Sequence, residues 1–172
     1  MKKIVYVGFF SLVAIAVLAS IFSVSNDEAK MASMASICSD ITKKSVKSPN
    51  SYKLKSLSAV LIKMTQEQKD GVLKSERYED IKNLIERDNA SMMAGKAFID
   101  FEASNSLGVS LKGFSMCEYT VLGDSWIPVD SVTIDDKLLP TSDVLIASSG
   151  EKVGSGFLWK ARYLLYKATG KI

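Results

Sequence analysis

"KAFIDFEASNSLGVSLKGFSMCEYTV", residues 96–121, alternates apolar and polar side chains on both sides of a short turn. Alternation with a period of two is typical of β-strands that bury one face. The pattern predicts strands over 96–103 and 109–121, because Asn105 and Gly108 supply the positive backbone angles that a short hairpin connection needs. This hairpin is the centre of the predicted fold.

Upstream of the hairpin, the chain from Asp27 to about Val46 has the pattern of an amphipathic helix. Ser25 or Asn26 can cap its start, and "KSPNS" at 47–51 ends it, because a proline disfavours helical geometry in the residue before it. The apolar residues recur at steps of three and four, as on one helix face: Met31, Met34, Ala35, Cys38, Ile41 and Val46.

Two further strands are predicted over about 52–63 and 125–135. Pro128 indicates an edge or a bulge in the second of these strands, and Asp135-Asp136 forms the turn that leaves it. A charge-rich segment predicts an amphipathic helix at about 75–88, either an exposed insertion or lid, or simply cover for a sheet edge.

The C-terminal part of the chain is less clearly patterned. Val144–Ile146 is a short apolar run that indicates neither helix nor strand, and "SSGEKVGSG" predicts a flexible connection. The tail at 157–168 fits both helical and strand spacing, but its length and its lack of glycine or proline favour a helix.

The N-terminus has the features of a signal anchor. Lys2 and Lys3 precede an uncharged apolar run over 4–24, and positive charge before such a run keeps that end in the cytoplasm. About 20 apolar residues are enough to cross the bilayer, whereas a cleaved signal peptide has an apolar region of about 7–15. Length therefore favours an uncleaved helix in residues 1–25, although the small residues at 23–25 leave cleavage as the alternative.

This topology predicts a single-pass protein of the inner, cytoplasmic membrane. Residues 26–172 form one exported domain, with a core at about 38–135 and a C-terminal element at 157–168. The domain lies in the periplasm or outside the cell, and it is a free periplasmic protein if the signal is cleaved.

The segment "GFFSLVAIAVLASIF" resembles the prepilin signature of type IV pilins, in which a short basic leader ends in glycine before phenylalanine and an apolar helix. Val13 stands where that family has a glutamate. The plain membrane anchor is therefore the preferred interpretation.

The exported part is almost neutral, because removing Lys2 and Lys3 from the formal charge of +3 leaves +1. Such a balance gives no electrostatic footprint for nucleic acid. A locally basic stretch is interpreted as a solvated face, with a patch for anionic head groups or an acidic partner as the alternative: Lys43, Lys44, Lys47, Lys53, Lys55 and Lys63.

The tail contains residue types that are common at membrane interfaces: Trp159, Lys160, Arg162, Tyr163, Tyr166 and Lys167. A terminal helix that packs its apolar side on the sheet explains the same residues. We prefer the packed helix.

The chain has no histidine, which removes the commonest general base and metal ligand. It also lacks a four-thiolate zinc pattern, a P-loop and a GxGxxG motif. Asp100 and Glu102 are about 7 Å apart along one strand face, where we expect solvent. The acids Asp135, Asp136 and Asp143 lack the spacing of a calcium loop. We therefore expect no catalytic residue, metal site or cofactor, and no enzyme.

Cys38 and Cys117 are the only cysteines. The alternatives for these residues are a reactive thiol, two independent buried cysteines, or one disulfide between them. Export to an oxidising compartment, the even count and the predicted apolar position of both residues favour the disulfide.

Spaced features of the chain resemble a widespread, poorly characterised group of small exported bacterial and phage domains. These features are a cysteine in a helix, an LKSPSS-like stretch ("VKSPNS"), and an Asn-x-Leu-Gly hairpin before a strand that ends in cysteine, where the group has Phe-x-Cys. The resemblance spans roughly Cys38 to Tyr119, with Leu107 in place of the usual aromatic residue. It implies an α+β domain with a disulfide between helix and sheet, and no active site.

The predicted fold is α+β: an N-terminal membrane helix, then one domain in which an amphipathic helix packs on an antiparallel sheet, with a helical insertion and a C-terminal helix. The predicted function is binding of an envelope protein partner as an accessory, inhibitory or immunity-type factor. The alternative is a pilin-like or other envelope-assembly subunit that uses its N-terminal apolar helix. The sequence identifies neither the partner nor an oligomeric state.

Overall fold

The computed structural model describes residues 18–74, 91–123, 128–149 and 153–172. The helices are α1 (Asn26–Ser45), α2 (Gln66–Leu73), α3 (Thr141–Ser148) and α4 (Phe157–Ala168), with a 3₁₀ turn at Pro49–Ser51. The strands are β1 (Lys53–Lys63), β2 (Met92–Ser104), β3 (Ser110–Leu122), β4 (Val129–Ile134) and β5 (Lys137–Leu138).

The five strands form one antiparallel sheet in the order β1-β2-β3-β4-β5, so each strand pairs with its neighbour in the chain. The predicted α+β class and antiparallel sheet are confirmed. Unbroken pairing of β2 with β3 runs from Met92 opposite Leu122 to Ser104 opposite Ser110.

The turn between β2 and β3 forms as its residues predict. The Asn105 side-chain oxygen accepts hydrogen bonds from the main-chain N–H groups of Leu107 (2.9 Å) and Val109 (3.0 Å). Gly108 has a φ of 79°, which an unsubstituted Cα adopts without strain. The turn thus sets the register of the two central strands.

α1 begins at a capping box. The Glu28 N–H donates to the Ser25 hydroxyl (3.1 Å), and the Ser25 N–H donates to the Glu28 carboxylate (2.9 Å), which satisfies two N–H groups at this end of the helix. Small buried residues on α1 allow close packing on more than one side: Ala29, Ala32, Ser33, Ala35 and Ser36. One side covers the sheet, and another receives α4.

The core lies between α1 and the face of the sheet that α1 covers, here called the inner face. Met34, Ile37 and Ile41 of α1 meet apolar side chains of four strands: Leu57, Ala97, Ile99, Phe101, Tyr119, Val121 and Val132. A Cys38–Cys117 disulfide crosses this core with a Cα–Cα distance of 5.8 Å, and both residues are fully buried. The predicted disulfide and the inward direction of Cys117 are confirmed.

Several elements differ from expectation. α2 was not predicted, and Val144–Ile146 belongs to α3. α4 is a helix as predicted, and it packs mainly on α1, which already occupies the inner face. Lys171, just after α4, accepts a 2.8 Å hydrogen bond from the Leu57 N–H of β1. The predicted helix at 75–88 lies outside the described residues.

Most of the predicted membrane span, residues 1–17, also lies outside the described residues. Residues 18–23 are helical and lead through Val24 and Ser25 into α1. Among the helices that the structure describes, none has the length and apolar character needed to cross a membrane.

Candidate functional site

The face of the sheet turned away from α1, here called the outer face, presents a cluster of apolar side chains. This cluster, the apolar strip, consists of Val60 and Ile62 from β1, Phe98 from β2, and Phe114 and Met116 from β3. The rings of Phe98 and Phe114 stack with centroids 6.3 Å apart. Ile62 is 53% exposed and Phe114 is 44% exposed, so the strip offers apolar area to a ligand or partner.

Paired charges border the apolar strip. The Lys96 ammonium lies 2.8 Å from the Glu118 carboxylate, and the hydrogen bond from Lys96 holds the Glu118 pKa below its ordinary value. Lys55 lies 2.8 Å from Glu102 and lowers its pKa in the same way. The rim therefore carries charges of both signs, arranged across neighbouring strands.

The two carboxylates considered for acid–base chemistry belong to this rim. Asp100 accepts a 2.5 Å hydrogen bond from the Ser56 hydroxyl, and Glu102 pairs with Lys55. Within the described ranges there is no cluster of three or more metal-ligating side chains. Both cysteines are in the disulfide, so neither offers a thiolate nucleophile.

Among the described residues, α2 covers the outer face at one end only. Val72 and Leu73 of α2 pack with Met64 on Met92 and Leu122. Between α2 and the sheet there is an open cavity of about 460 Å³, which Ala94 and Thr120 line from the sheet. Along β2 and β3, the Lys96–Glu118 pair lies between this cavity and Phe98. The apolar strip reaches the cavity end of the sheet through Val60 and Ile62 of β1.

The predicted basic stretch is divided among several places. Lys43 and Lys44 lie in the last turn of α1, where Lys44 donates to the carbonyl oxygen of Ala147 (2.7 Å). Lys53 and Lys55 lie on β1, and Lys55 is paired with Glu102.

Lys47 lines a cavity of about 480 Å³ beyond the C-terminal end of α1. Its apolar wall includes Phe101, Leu111, Ile134 and Leu139, and its rim includes Lys112 and Lys137. This cavity draws on residues between 45 and 139 that are distant in the chain, so sequence spacing did not indicate it.

The aromatic and basic residues predicted in the tail are directed largely towards α1. Arg162 donates a 2.6 Å hydrogen bond to the Ser36 hydroxyl and lies 5.2 Å from the centre of the Trp159 ring. The hydrogen bond between Tyr163 and the Glu28 carboxylate raises the Tyr163 pKa. Lys167 lies over the Tyr163 ring at 6.0 Å, and Lys160 is half-buried.

The sequence contained one overlooked signal for the apolar strip. Phe114 and Met116 fall on the polar side of the alternating pattern in β3, where they interrupt it. An apolar residue on a solvent-facing strand position indicates a second buried or binding face. The interrupted alternation in β3 therefore indicates the apolar strip on the outer face of the sheet.

Comparisons with protein-family models, with curated proteins and with solved structures found no match to this chain.

Proposed function

We propose that this chain is a membrane-tethered, extracytoplasmic protein that binds another envelope protein through the apolar strip, as an accessory, inhibitory or immunity-type factor. The observation that carries the proposal is the apolar strip on the outer face, in which Val60, Ile62 and Phe114 are exposed and Phe98 and Met116 are half-buried, whereas α1 covers the inner face. Exposed apolar clusters with a polar border are characteristic of interaction sites.

The sheet holds this surface rigidly. Phe98 and Phe114 are placed by continuous pairing of β2 with β3, and the disulfide fixes the same strands to α1 from the other side. A surface that is ordered before binding loses little conformational entropy when a partner docks. The architecture therefore suits a binding protein.

The rim indicates what kind of partner fits. Lys96 and Glu118 alternate in sign beside the apolar centre, so the surface has no strong net charge to attract a polyanion. We expect a protein partner with an apolar patch bordered by both acidic and basic groups, matched to this pattern.

The proposed tether agrees with the way the domain begins. The apolar run over 4–24 is followed directly by the capped start of α1 at Ser25, with no linker between them. The domain would therefore be held close to the outer surface of the cytoplasmic membrane, where envelope partners are available.

Site-specific photo-crosslinking tests the proposal. A benzophenone amino acid is placed at Phe114 or at Val60 in the full chain, in membranes of cells that make the protein. The matched control position is Ile146 on α3, which is 73% exposed and belongs to a helix that packs on α1. We expect the first two positions to form an adduct with the same protein, and Ile146 to form none.

Substitutions complete the test. Phe114→Glu is expected to abolish co-purification of that protein, whereas Ile146→Glu leaves it unchanged. Equal capture by both variants would overturn the proposal. So would an adduct from Phe114 to residues 75–90 of the same chain, because the strip would then be covered internally.

A further inference from the structure

The side of α4 that does not contact α1 carries large exposed apolar residues. Phe157, Leu158 and Leu165 are exposed, and Leu158 is 79% accessible. Phe22, from the helical residues before α1, is exposed beside them, and the Phe22 and Phe157 rings are 6.3 Å apart. These four residues are called the apolar ridge.

The ridge adjoins an open cavity of about 590 Å³ between residues 20–21 and α4. The cavity is lined almost entirely by apolar atoms of Ile21, Ala161, Leu164, Leu165 and Ala168. Ala161, Leu164, Leu165 and Ala168 follow the spacing of one helix face together with Phe157. This face of α4, called the α4 stripe, is a continuous apolar surface along most of the helix.

Contacts on the other side fix the rotation of α4. Arg162 is bonded to Ser36, and Tyr163 is bonded to Glu28, both on α1. The helix cannot turn its stripe inward without breaking these bonds. The exposure of Leu158 and Leu165 is thus built into the packing.

Charge distinguishes among the surfaces that could cover the ridge. α4 contains Lys160, Arg162 and Lys167 and no acidic residue. A helix with an apolar face and only basic charged residues is suited to the head-group region of an anionic membrane.

The position of the ridge in the chain also points to lipid. Ile21 and Val24 at the end of the apolar run are buried in the domain, which leaves residues 4–20 to cross the bilayer. About 17 residues is the short end of the range that spans a membrane, so the domain must approach the bilayer closely.

We propose that the apolar ridge lies in the outer interface of the cytoplasmic membrane, with α4 resting on the lipid surface. This inference depends on the membrane tether of the proposed function but not on the protein partner. The ridge and the apolar strip are separate surfaces, because α4 packs on α1 and the strip lies on the face of the sheet turned away from α1.

Lipid photo-crosslinking tests the inference on the full chain. The protein is reconstituted in vesicles of phosphatidylcholine with a minority of anionic phosphatidylglycerol. Benzophenone amino acids are placed singly at Leu158, at Leu107 and at Phe10, and adducts are identified by mass spectrometry. Leu107 at the hairpin turn is 85% exposed and is the matched control, while Phe10 reports on the tether.

We expect lipid adducts from Leu158 and Phe10, and several-fold fewer from Leu107. Lipid adducts from Phe10 but not from Leu158 would overturn the membrane contact of the ridge and would still support the tether. Absence of lipid adducts at both positions would overturn both, and equal labelling of Leu107 and Leu158 would overturn the ridge. An adduct from Leu158 to a second copy of the chain would overturn the membrane contact, because the ridge would then be a self-association surface.

Discussion

The hydroxyl of Tyr119 on β3 donates a 2.7 Å hydrogen bond to the carbonyl oxygen of Met34 on α1. Met34 lies one helical turn before Cys38, whose disulfide partner Cys117 precedes Tyr119 by two residues on the same strand face. Burial raises the pKa of Tyr119 far above its ordinary range, so the phenol keeps its proton and remains a donor. A hydrogen bond and a covalent bond therefore join α1 to β3 within one turn.

Tyr119→Phe removes only the hydroxyl and keeps the ring in the core. We expect a loss of about 1 kcal/mol in the free energy of unfolding, the usual contribution of a buried hydrogen bond. Urea unfolding of the full chain in a mild detergent measures it. Tyr166→Phe is the control, because its ring is partly buried beside the same core and no hydrogen bond of its hydroxyl is present among the described residues, so its loss should cost about 0.5 kcal/mol or less. An equal loss of unfolding free energy in the two variants would contradict a stabilising hydrogen bond from Tyr119.

Gly113→Ala tests the packing around Phe101. An added Cβ would overlap three atoms of the Phe101 ring, which is buried and stacked on Tyr52. We expect destabilisation of about 1–3 kcal/mol from overpacking, measured by urea unfolding.

The same chemical change at Gly71 should have the opposite sign. No heavy atom lies within 4 Å of a Cβ added there, and the residue is in the interior of α2. Gly71→Ala is expected to stabilise the helix by about 0.5–1 kcal/mol. Destabilisation by both variants would indicate that the β3 contact is not the cause.

The double variant Cys38→Ala, Cys117→Ala tests the contribution of the disulfide. A cross-link with a sequence separation of 79 residues should contribute about 4–5 kcal/mol through the unfolded chain. We expect a large fall in the urea midpoint for the variant, and the same fall for the unsubstituted protein after it has been unfolded with a reductant. A midpoint within error of the oxidised protein would refute this contribution.

Acid should destabilise the start of α1. The Ser25 N–H, followed by the Tyr163 hydroxyl, holds the Glu28 pKa below its ordinary value of 4.5. A depressed carboxyl pKa contributes stability above the ordinary value, and this contribution is lost as the pH falls through the pKa of the folded state. We therefore expect the free energy of unfolding to decline below about pH 4.5.

Glu28→Gln isolates that decline, because glutamine preserves the capping box but does not titrate. The variant should show a shallower loss of stability between neutral and acidic pH than the unsubstituted protein. Some loss should remain, because the pKa values of Glu102 and Glu118 are also lowered by lysine partners. Superimposable profiles for the two proteins would show that Glu28 does not contribute.

The central hairpin and α1 were predictable because local rules determine them. β2 and β3 alternate over most of their length, Asn105 and Gly108 specify the turn, and Ser25 with Glu28 forms a cap that can be recognised in the sequence. The disulfide followed from the same patterns, because they placed Cys38 and Cys117 on buried faces.

The packing of α4 could not be predicted in this way. Two faces of α4, one with its aromatic residues and one with its apolar stripe, have the composition of a buried face. Which of them is buried depends on hydrogen bonds to Ser36 and Glu28 of α1, and Ser36 is more than 120 residues from its partner Arg162. α2 was missed because eight residues give too little periodicity. The apolar strip was missed because its members come from three strands, and only the sheet register brings them together.

The disulfide also has a mechanical consequence for a tethered protein. Tension between the N-terminal side and the C-terminal end passes through the sulfur–sulfur bond, because the two cysteine Cα atoms are 5.8 Å apart. The 79-residue separation corresponds to roughly 270 Å of extended chain that such a pull cannot release. The segment between the cysteines, which contains the apolar strip, therefore cannot be extended by such a force. α4 lies after Cys117, so the same force can separate it from α1.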